Sequence, residues 1–413
     1  MNRHRVAITG LGPITPIGNG VDSLWDGVRR GESAVRGITR FDPGQFSSRV
    51  AAEVTFEPLD FMTPKMAHRL DRFSQIALAS SQMALADAGL SASEAAAAGT
   101  GIYTGSALGG VAFAEEQHAV FVERGIRAIS PMLALSVFGG ACSCNIAIDL
   151  GLTGPTVANA NSCASGVIAI GEATRLIRDG RTAAMLAGGV EAPLAPLTFG
   201  AFDIIKVLTS RNDDPATASR PFDRDRDGFV MGEGGAMLVL EAWDHAERRG
   251  AHIYAEILGY ATTNDAYHMT APRPDGEQAG RAMREALADA SLPAEAIDYV
   301  NAHASSTLLN DSVECLAIRK GLGAHAERVA VSGTKGMHAH ALGATGAIET
   351  AICALALERG HLPGNANLRD PDPACDLDLI PPGGRDAPIR VLIKNSFGFG
   401  GINACLVLGA APA

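Results

Sequence analysis

Apolar and polar positions along this chain form two alternating kinds of segment. Short apolar runs of strand type, ending in glycine or polar residues, are followed by longer segments with the 3.6-residue period of helices. The pattern predicts strands over residues 5–12, 101–105, 156–160, 183–188, 236–241, 252–260, 298–303, 329–332, 389–394 and 402–408. It predicts helices over residues 21–31, 61–89, 131–150, 163–178, 312–320 and 343–359. This alternation, with many small residues, is typical of a layered α/β protein.

The same order of strands and helices occurs twice along the chain. A predicted strand at 252–260 follows a break near residues 248–251, as the strand at 5–12 opens the chain. A length of 413 residues also exceeds what one small core organises. We therefore predict two similar halves, 1–250 and 251–413. Their weak sequence similarity leaves an internal duplication as a hypothesis.

Composition and charge exclude several classes of protein. Hydrophobic residues make up 47% of the chain and charged residues 19%, which is typical of a large folded core. No apolar run reaches the roughly 20 residues of a membrane span, and no secretory signal opens the chain, so we expect a cytoplasmic protein. The net charge, 34 − 45 = −11, argues against nucleic-acid binding, and an acidic partner would need a local basic patch.

Motifs for metals and nucleotides are incomplete. Seven scattered cysteines are typical of reduced thiols, and the Cys142-x-Cys144 pair has no second pair of ligands near it. The run 223–228 resembles half of a calcium loop, but Gly234 stands where the loop requires Glu, so we expect a turn held by ion pairs. Thr15 replaces the third glycine of a dinucleotide fingerprint. We therefore predict no metal site and no nucleotide cofactor.

Cys163 lies where a predicted strand becomes a predicted helix. The residues after it, 164–166, are small, so a ligand or another segment can come close. A thiol at a helix N-terminus feels the positive end of the macrodipole, which favours the thiolate. An isolated cysteine is more often a buried structural thiol, so a functional interpretation depends on other motifs.

Three motifs in the second half follow predicted strands. They are Val-Asn-Ala-His-Ala-Ser-Ser-Thr at 300–307, Ser-Gly-Thr-Lys-Gly-Met-His-Ala-His at 332–340, and Asn-Ser-Phe-Gly-Phe-Gly-Gly-Ile-Asn at 395–403. Functional side chains gather at the carboxyl ends of strands in α/β sheets. Two histidines, a lysine and a glycine-rich loop at such positions, together with Cys163, are hard to explain by packing alone.

Cys163 with its neighbours, His303, Lys335, His340 and the Gly-Phe-Gly-Gly loop resemble the elongating β-ketoacyl-[acyl-carrier-protein] synthases of the thiolase superfamily. The resemblance covers essentially the whole chain, including residues 221–241 and 265–270. It implies a thiolase-like, five-layered α-β-α-β-α fold built from two similar halves. The half 1–250 would carry the nucleophilic cysteine, and 251–413 would carry the histidines, the lysine and the glycine-rich loop.

The resemblance also implies a reaction and a role for each motif. Cys163 would accept an acyl chain, and His303 and His340 would stabilise the enolate left when a malonyl thioester loses CO2. Lys335 and Glu349 would form a buried pair, which Glu314 joins. Phe399 would gate the acyl pocket, and its N–H with that of Cys163 would hold the tetrahedral oxygen. No cofactor is expected beyond the phosphopantetheine arm that carries the substrates.

Substrate and partner contacts follow from the same resemblance. Leu108 and Leu133 would line the acyl pocket, the latter from a neighbouring subunit, and Asp265, Thr270, Ser305 and Thr307 would lie near the pantetheine arm. The partner would be an acidic acyl carrier protein. It would dock on the basic positions Lys65, His68, Arg69, Arg124, Arg127 and Lys206. A homodimer, or a heterodimer with a related subunit, is expected.

This chain departs from the family at two places, and other interpretations have to be weighed. Asn161-Ser162 replaces a common Thr-Ala, and His303-Ala304-Ser305 replaces His-Gly-Thr, which favours a specialised pathway over bulk fatty-acid synthesis. A thiolase would need a second reactive cysteine in a Cys-x-Gly loop, but Leu406 follows Cys405. An initiating synthase would carry Asn in place of His340. A ketosynthase active only with a partner subunit, and a non-catalytic subunit that binds carrier protein, both stay open.

Overall fold

The structure is a computed structural model that describes residues 4–412. The helices are α1 Val21–Arg30, α2 Pro64–Arg69, α3 Arg72–Asp87, α4 Ala92–Ala97, α5 Val111–Arg124, α6 Leu133–Ser136, α7 Ala141–Leu150, α8 Ser165–Arg178, α9 Pro196–Ile204, α10 Trp243–Arg248, α11 Glu277–Ala290, α12 Leu308–Leu322, α13 Lys335–His338 and α14 Leu342–Arg359. The strands are β1 Val6–Thr15, β2 Gly18–Asn19, β3 Arg36–Gly37, β4 Val50–Ala52, β5 Gly101–Gly105, β6 Thr156–Asn159, β7 Ala184–Glu191, β8 Met231–Gly232, β9 Gly234–Ala242, β10 Ala255–Asn264, β11 Tyr299–Asn301, β12 Ala330–Ser332, β13 His361–Leu362, β14 Asp378–Leu379, β15 Arg385–Asp386, β16 Val391–Gly398 and β17 Ile402–Ala410.

Each half of the chain forms a half-sheet, and the two half-sheets have the same topology. The first half runs β6-β5-β7-β9-β1, and the second runs β12-β11-β16-β17-β10. When the five strands of each half are numbered in chain order, both half-sheets have the strand order 3-2-4-5-1. In both, strand pairs 3-2 and 2-4 are parallel, and pairs 4-5 and 5-1 are antiparallel. The halves join where β1 pairs with β10. A shared topology of this kind supports the hypothesis of an internal duplication, although the division at residue 250 stays a prediction.

Helices cover both faces of each half-sheet. Helix α3 packs on β1 and β9, α11 packs on β10 and β17, and α8 and α14 lie between the two half-sheets and contact both. Every residue of α14 from Leu342 to Leu357 is buried. A helix enclosed on all sides has no polar face, and the apolar core accordingly surrounds it. The predicted five-layered α-β-α-β-α fold is confirmed.

Several predicted boundaries were wrong, and each error has a local cause. The predicted helix 61–89 is two helices, because Leu70 and Asp71 are extended and α3 starts afresh after Asp71. Strand β16 continues past residue 394 to Gly398, so the glycine-rich motif is a hairpin turn into β17. Gly400 and Gly401 make that turn with φ of 82° and 73°, a region that favours glycine.

The acidic and basic run at 223–228 forms ion pairs, as predicted. Arg226 lies 2.7 Å from Asp372, and Arg224 lies 3.0 Å from Asp370. These pairs tie the first half of the chain to a segment of the second half. No helix within residues 4–412 has both the length and the apolar character needed to cross a membrane.

Candidate active site

Cys163 lies in a tight turn between β6 and α8. A short 3-10 turn, Ser162–Ala164, connects the strand to the helix, and Cys163 is only 7% exposed. Ser162 has φ of 53°, a left-handed conformation that is strained for a residue other than glycine. The Ser165 hydroxyl donates to the Ser162 carbonyl at 2.7 Å and holds the turn. The predicted change from strand to helix around Cys163 is therefore confirmed.

Burial acts on the protonation state of the cysteine. Loss of solvation raises the pKa of the Cys163 thiol to about 11, although the Ser162 hydroxyl, the Lys335 ammonium and the Phe399 N–H act in the opposite direction. The Ser162 hydroxyl lies 3.8 Å from the sulfur. Burial therefore works against the thiolate that a helix N-terminus favours, and which effect prevails stays a prediction.

The hairpin between β16 and β17 closes over the turn that holds Cys163. The Ser396 hydroxyl donates to the Cys163 carbonyl at 3.0 Å. A Cβ atom at Gly398 would lie 3.2 Å from the Cys163 nitrogen, so glycine permits this close approach. The Phe399 N–H faces the cysteine sulfur. The hairpin thus brings the backbone N–H of Phe399 to the cysteine sulfur and Gly398 against the Cys163 backbone nitrogen.

His303 and His340 line the same cavity of about 300 Å³ as Cys163 and Phe399. Their ring centroids are 5.3 Å apart, and the rings are nearly perpendicular. The Thr345 hydroxyl lies 2.9 Å from His340 Nδ1. A hydroxyl that donates to Nδ1 leaves the other ring nitrogen, Nε2, as an N–H donor.

Both imidazoles are neutral. Burial, followed by the field of the Lys335 ammonium, lowers the pKa of His303 and of His340 well below the ordinary value of 6.5. Within residues 4–412, Nδ1 of His303 has no hydrogen-bond partner. The site therefore holds two uncharged rings that can donate N–H bonds to a developing oxyanion.

Lys335 and Glu349 form the buried pair that the resemblance implies. Lys335 Nζ lies 2.8 Å from Glu349 Oε1 and also donates to the His303 carbonyl. Burial alone would raise the pKa of Glu349, but Lys335 and Lys394 hold it at about 2, so the side chain is a carboxylate. The pair thus fixes the backbone that carries His303.

Glu314 braces the turn after His303. Its two carboxylate oxygens each accept a backbone N–H at 2.7 Å, from His303 and from Ala304. Ala304 has φ of 43°, a left-handed conformation that favours glycine. The methyl group is accommodated, and the carboxylate holds the strained turn in place.

The structure places the predicted substrate residues at three different locations. Asp265, Thr270, Ser305 and Thr307 all line the cavity that contains Cys163. Leu108 packs in the apolar cluster around Cys163. Leu133 lies on α6 and does not line that cavity within this chain.

The six predicted docking residues are all exposed. Lys206 lines the cavity of Cys163. Lys65 and Arg69 instead line a separate groove beside exposed apolar side chains of α6 and α7. His68 lines a neighbouring groove, and Arg124 and Arg127 lie at the end of α5 and just after it. A single chain therefore does not bring this set together around one opening.

Sequence reasoning missed two buried charged residues of the site. Glu191 ends β7 and accepts N–H bonds from Ala107, Leu108 and Gly343, joining the turn that carries Leu108 to the start of α14. Burial raises its pKa to about 7. Lys394 lies 2.8 Å from Glu349 Oε2. A charged residue inside or at the end of an apolar strand pattern was the available signal for both.

Comparison with known proteins gives one consistent result. The family model described as "Beta-ketoacyl synthase, N-terminal domain" matches residues 3–246, and "Beta-ketoacyl synthase, C-terminal domain" matches residues 254–369. The chain is 44% identical to 3-oxoacyl-[acyl-carrier-protein] synthase 2 of Synechocystis sp., covering 98% of both chains. It is 42% identical to the protein of that name from Coxiella burnetii, covering 99% of both.

A solved structure shares the fold over the full length. It is a type II PKS acyl-carrier protein in complex with its ketosynthase bound to the hexaketide. The TM-score is 0.92 at 35% identity, and the match covers 99% of this chain and 100% of the other.

Proposed function

The chain belongs to the beta-ketoacyl synthase family and is an acyltransferase of the condensing type. From that premise we propose that it joins a Cys163-bound acyl chain to a malonyl group on acyl carrier protein, releasing CO2 and giving a 3-oxoacyl thioester. The observation that carries this assignment is the shared cavity, in which Cys163, the two neutral histidines and the Phe399 loop meet.

The first proposed step transfers the acyl chain to the protein. The Cys163 sulfur attacks the thioester carbonyl, and the N–H groups of Cys163 and Phe399 hold the tetrahedral oxygen. Collapse breaks the bond to the pantetheine sulfur, which leaves with the proton of the cysteine thiol. Because the resting cysteine is a thiol, deprotonation is coupled to this step.

The second proposed step generates the carbon nucleophile. The malonyl thioester loses CO2, and the electron pair of the broken bond becomes an enolate. His303 and His340 donate N–H bonds to its oxygen, each worth about 3–4 kcal/mol in a closed site. The enolate carbon then attacks the acyl group on Cys163, and the cysteine leaves as the thiolate. Both steps use only groups of the chain and of the carrier-bound substrates. We therefore predict that no further cofactor is needed.

An acidic acyl carrier protein is the proposed partner. The ketosynthase of the solved relative is in complex with its acyl-carrier protein. Lys206 at the cavity and the exposed basic side chains of α2 supply positive charge on a chain of net charge −11. Basic patches on an acidic protein steer an acidic partner to one face.

We also propose that a second subunit completes the site, either another copy or a related chain. Helices α5 to α7 and the edge strand β6 expose large apolar side chains, which water covers poorly. They are Phe121, Val122, Ile126, Leu135, Val137, Phe138, Ile148 and Val157. Leu133 and the basic groove of Lys65 and Arg69 lie on the same face, so pairing there would bring them toward a partner's cavity.

The direct test is turnover by the purified chain. Hexanoyl and malonyl carrier proteins should yield CO2 and 3-oxooctanoyl carrier protein, and a hexanoyl adduct should map to Cys163 by mass spectrometry. Cys163→Ala is the control and should form no adduct. Absence of the adduct in the unaltered chain, both alone and with a co-encoded related subunit, would contradict the proposal.

A further inference from the structure

Lys394 is a buried lysine for which neither the motifs nor the proposed steps give a role. It lies within β16, five residues before Phe399, and is fully buried. Apolar residues 391–393 precede it in the strand. Placing an ammonium group in such a position costs several kcal/mol unless the surroundings compensate for it. The buried charge of Lys394 therefore requires groups that compensate for it.

Its partner is the carboxylate that Lys335 also uses. Lys394 Nζ lies 2.8 Å from Glu349 Oε2, and Lys335 Nζ lies 2.8 Å from Oε1 of the same residue. All three side chains are buried. One carboxylate on α14 thus joins two ammonium groups that come from two different catalytic segments.

Each ammonium also holds a backbone carbonyl of a different loop. Lys335 donates to the carbonyl of His303, whereas Lys394 donates to the carbonyl of Asn395. The next residue, Ser396, donates to the Cys163 carbonyl. The contacts of Lys335 therefore reach the histidine side of the cavity, and those of Lys394 reach the hairpin over Cys163.

We propose that Lys394 is a positioning residue for the hairpin that presents the Phe399 N–H, and that it serves acyl transfer to Cys163. Lys335 serves malonyl decarboxylation through His303. This division rests on the proposed condensing function. It predicts that removal of each lysine impairs a different half-reaction, which a general loss of packing would not do.

The test measures the two half-reactions separately. Lys394→Met should slow acylation of Cys163 by hexanoyl carrier protein about 10- to 100-fold, because a misplaced oxyanion donor weakens transition-state binding. Its CO2 release from malonyl carrier protein should fall less than about threefold. Lys335→Met should show the reverse bias. The exposed Lys320, paired with Glu277, supplies the control Lys320→Met, which should match the unaltered chain in both assays.

A second variant guards against misfolding, because Lys394→Met leaves part of a buried carboxylate uncompensated. Lys394→Gln keeps a hydrogen-bond donor and should recover part of the acylation rate. Equal losses in both half-reactions, or acylation at the normal rate in both Lys394 variants, would overturn the role of Lys394 alone. An unaltered chain that performs neither half-reaction would overturn the proposed function and this inference with it.

Discussion

At the scale of single residues, burial decides the chemistry of the site. It raises the pKa of the Cys163 thiol to about 11 and lowers the pKa of both His303 and His340. The uncharged form is favoured in each case, since a low-dielectric cavity penalises charge. Lys335 and Glu349 remain as a compensated pair beneath the site. The cavity can thus hold a transient oxyanion beside neutral N–H donors.

The cysteine gives a prediction about pH. Alkylation of Cys163 by iodoacetamide proceeds through the thiolate, so its rate should rise with pH past pH 9 and show no plateau near neutrality. Cys163→Ala supplies the background from the exposed Cys144. Peptide mass spectrometry of timed samples measures the rate. A plateau below pH 8 would show that the field at the start of α8 outweighs burial.

At the scale of elements, the crossing of α8 and α14 sets the distance between nucleophile and histidine. A Cβ atom on Gly166 would lie 2.8 Å from the Ala347 nitrogen and 2.9 Å from the Gly343 carbonyl oxygen. Cys163 precedes Gly166 by three residues, and His340 precedes Gly343 by three. Backbone contact at this point therefore transmits any change in helix separation to both catalytic side chains.

Gly166→Ala tests this crossing. The added methyl group must push two backbones apart, so the free energy of unfolding should fall by about 1–3 kcal/mol, and condensation should fall more than it does in a surface variant. Gly37→Ala is the matched control, since a Cβ there meets nothing within 4 Å. Urea denaturation and turnover measure the two effects. Unchanged stability and turnover in Gly166→Ala would contradict the account of the crossing.

Local signals predicted some elements of the site, and long-range contacts decided the others. The turn at Cys163 and helix α14 were predictable from local sequence. The period of the apolar pattern changes there, and glycine follows the end of the helix, within a few neighbouring residues. Lys394 and Glu191 were not found, because each acts through partners far away in sequence.

The break at Asp71 was missed because the apolar pattern of α3 continues smoothly into the preceding segment. Phe399 was placed in a loop after a strand, but the ladder between β16 and β17 makes it part of a hairpin.

At the scale of the whole molecule, the reactive groups are divided between two halves of the same sheet topology. The first half-sheet leads into Cys163, and the second leads into His303, Lys335 and Phe399. Helix α14, which carries Glu349, lies between the half-sheets and touches both. The site therefore exists only when the two halves pack against each other.

The charge distribution gives a prediction about docking. Lys65→Glu combined with Arg69→Glu should raise KM for a carrier-bound substrate at low salt, with a smaller effect at high salt because ions screen the attraction. The control combines Arg328→Glu with Arg390→Glu. These exposed residues precede β12 and β16 and so lie at the opposite ends of those strands from the site. An unchanged KM in the first variant would remove the docking role.

In the proposed function, Cys163 accepts the acyl chain, whereas the histidines serve decarboxylation, and measuring the two half-reactions in the same variants tests this division. Cys163 acylation and malonyl decarboxylation are measured side by side in His303→Ala and in His340→Ala. Each variant should lose CO2 release by about 100-fold or more, since an oxyanion donor is removed, while keeping a measurable part of the acylation rate. Loss of acylation with decarboxylation intact would contradict the assignment.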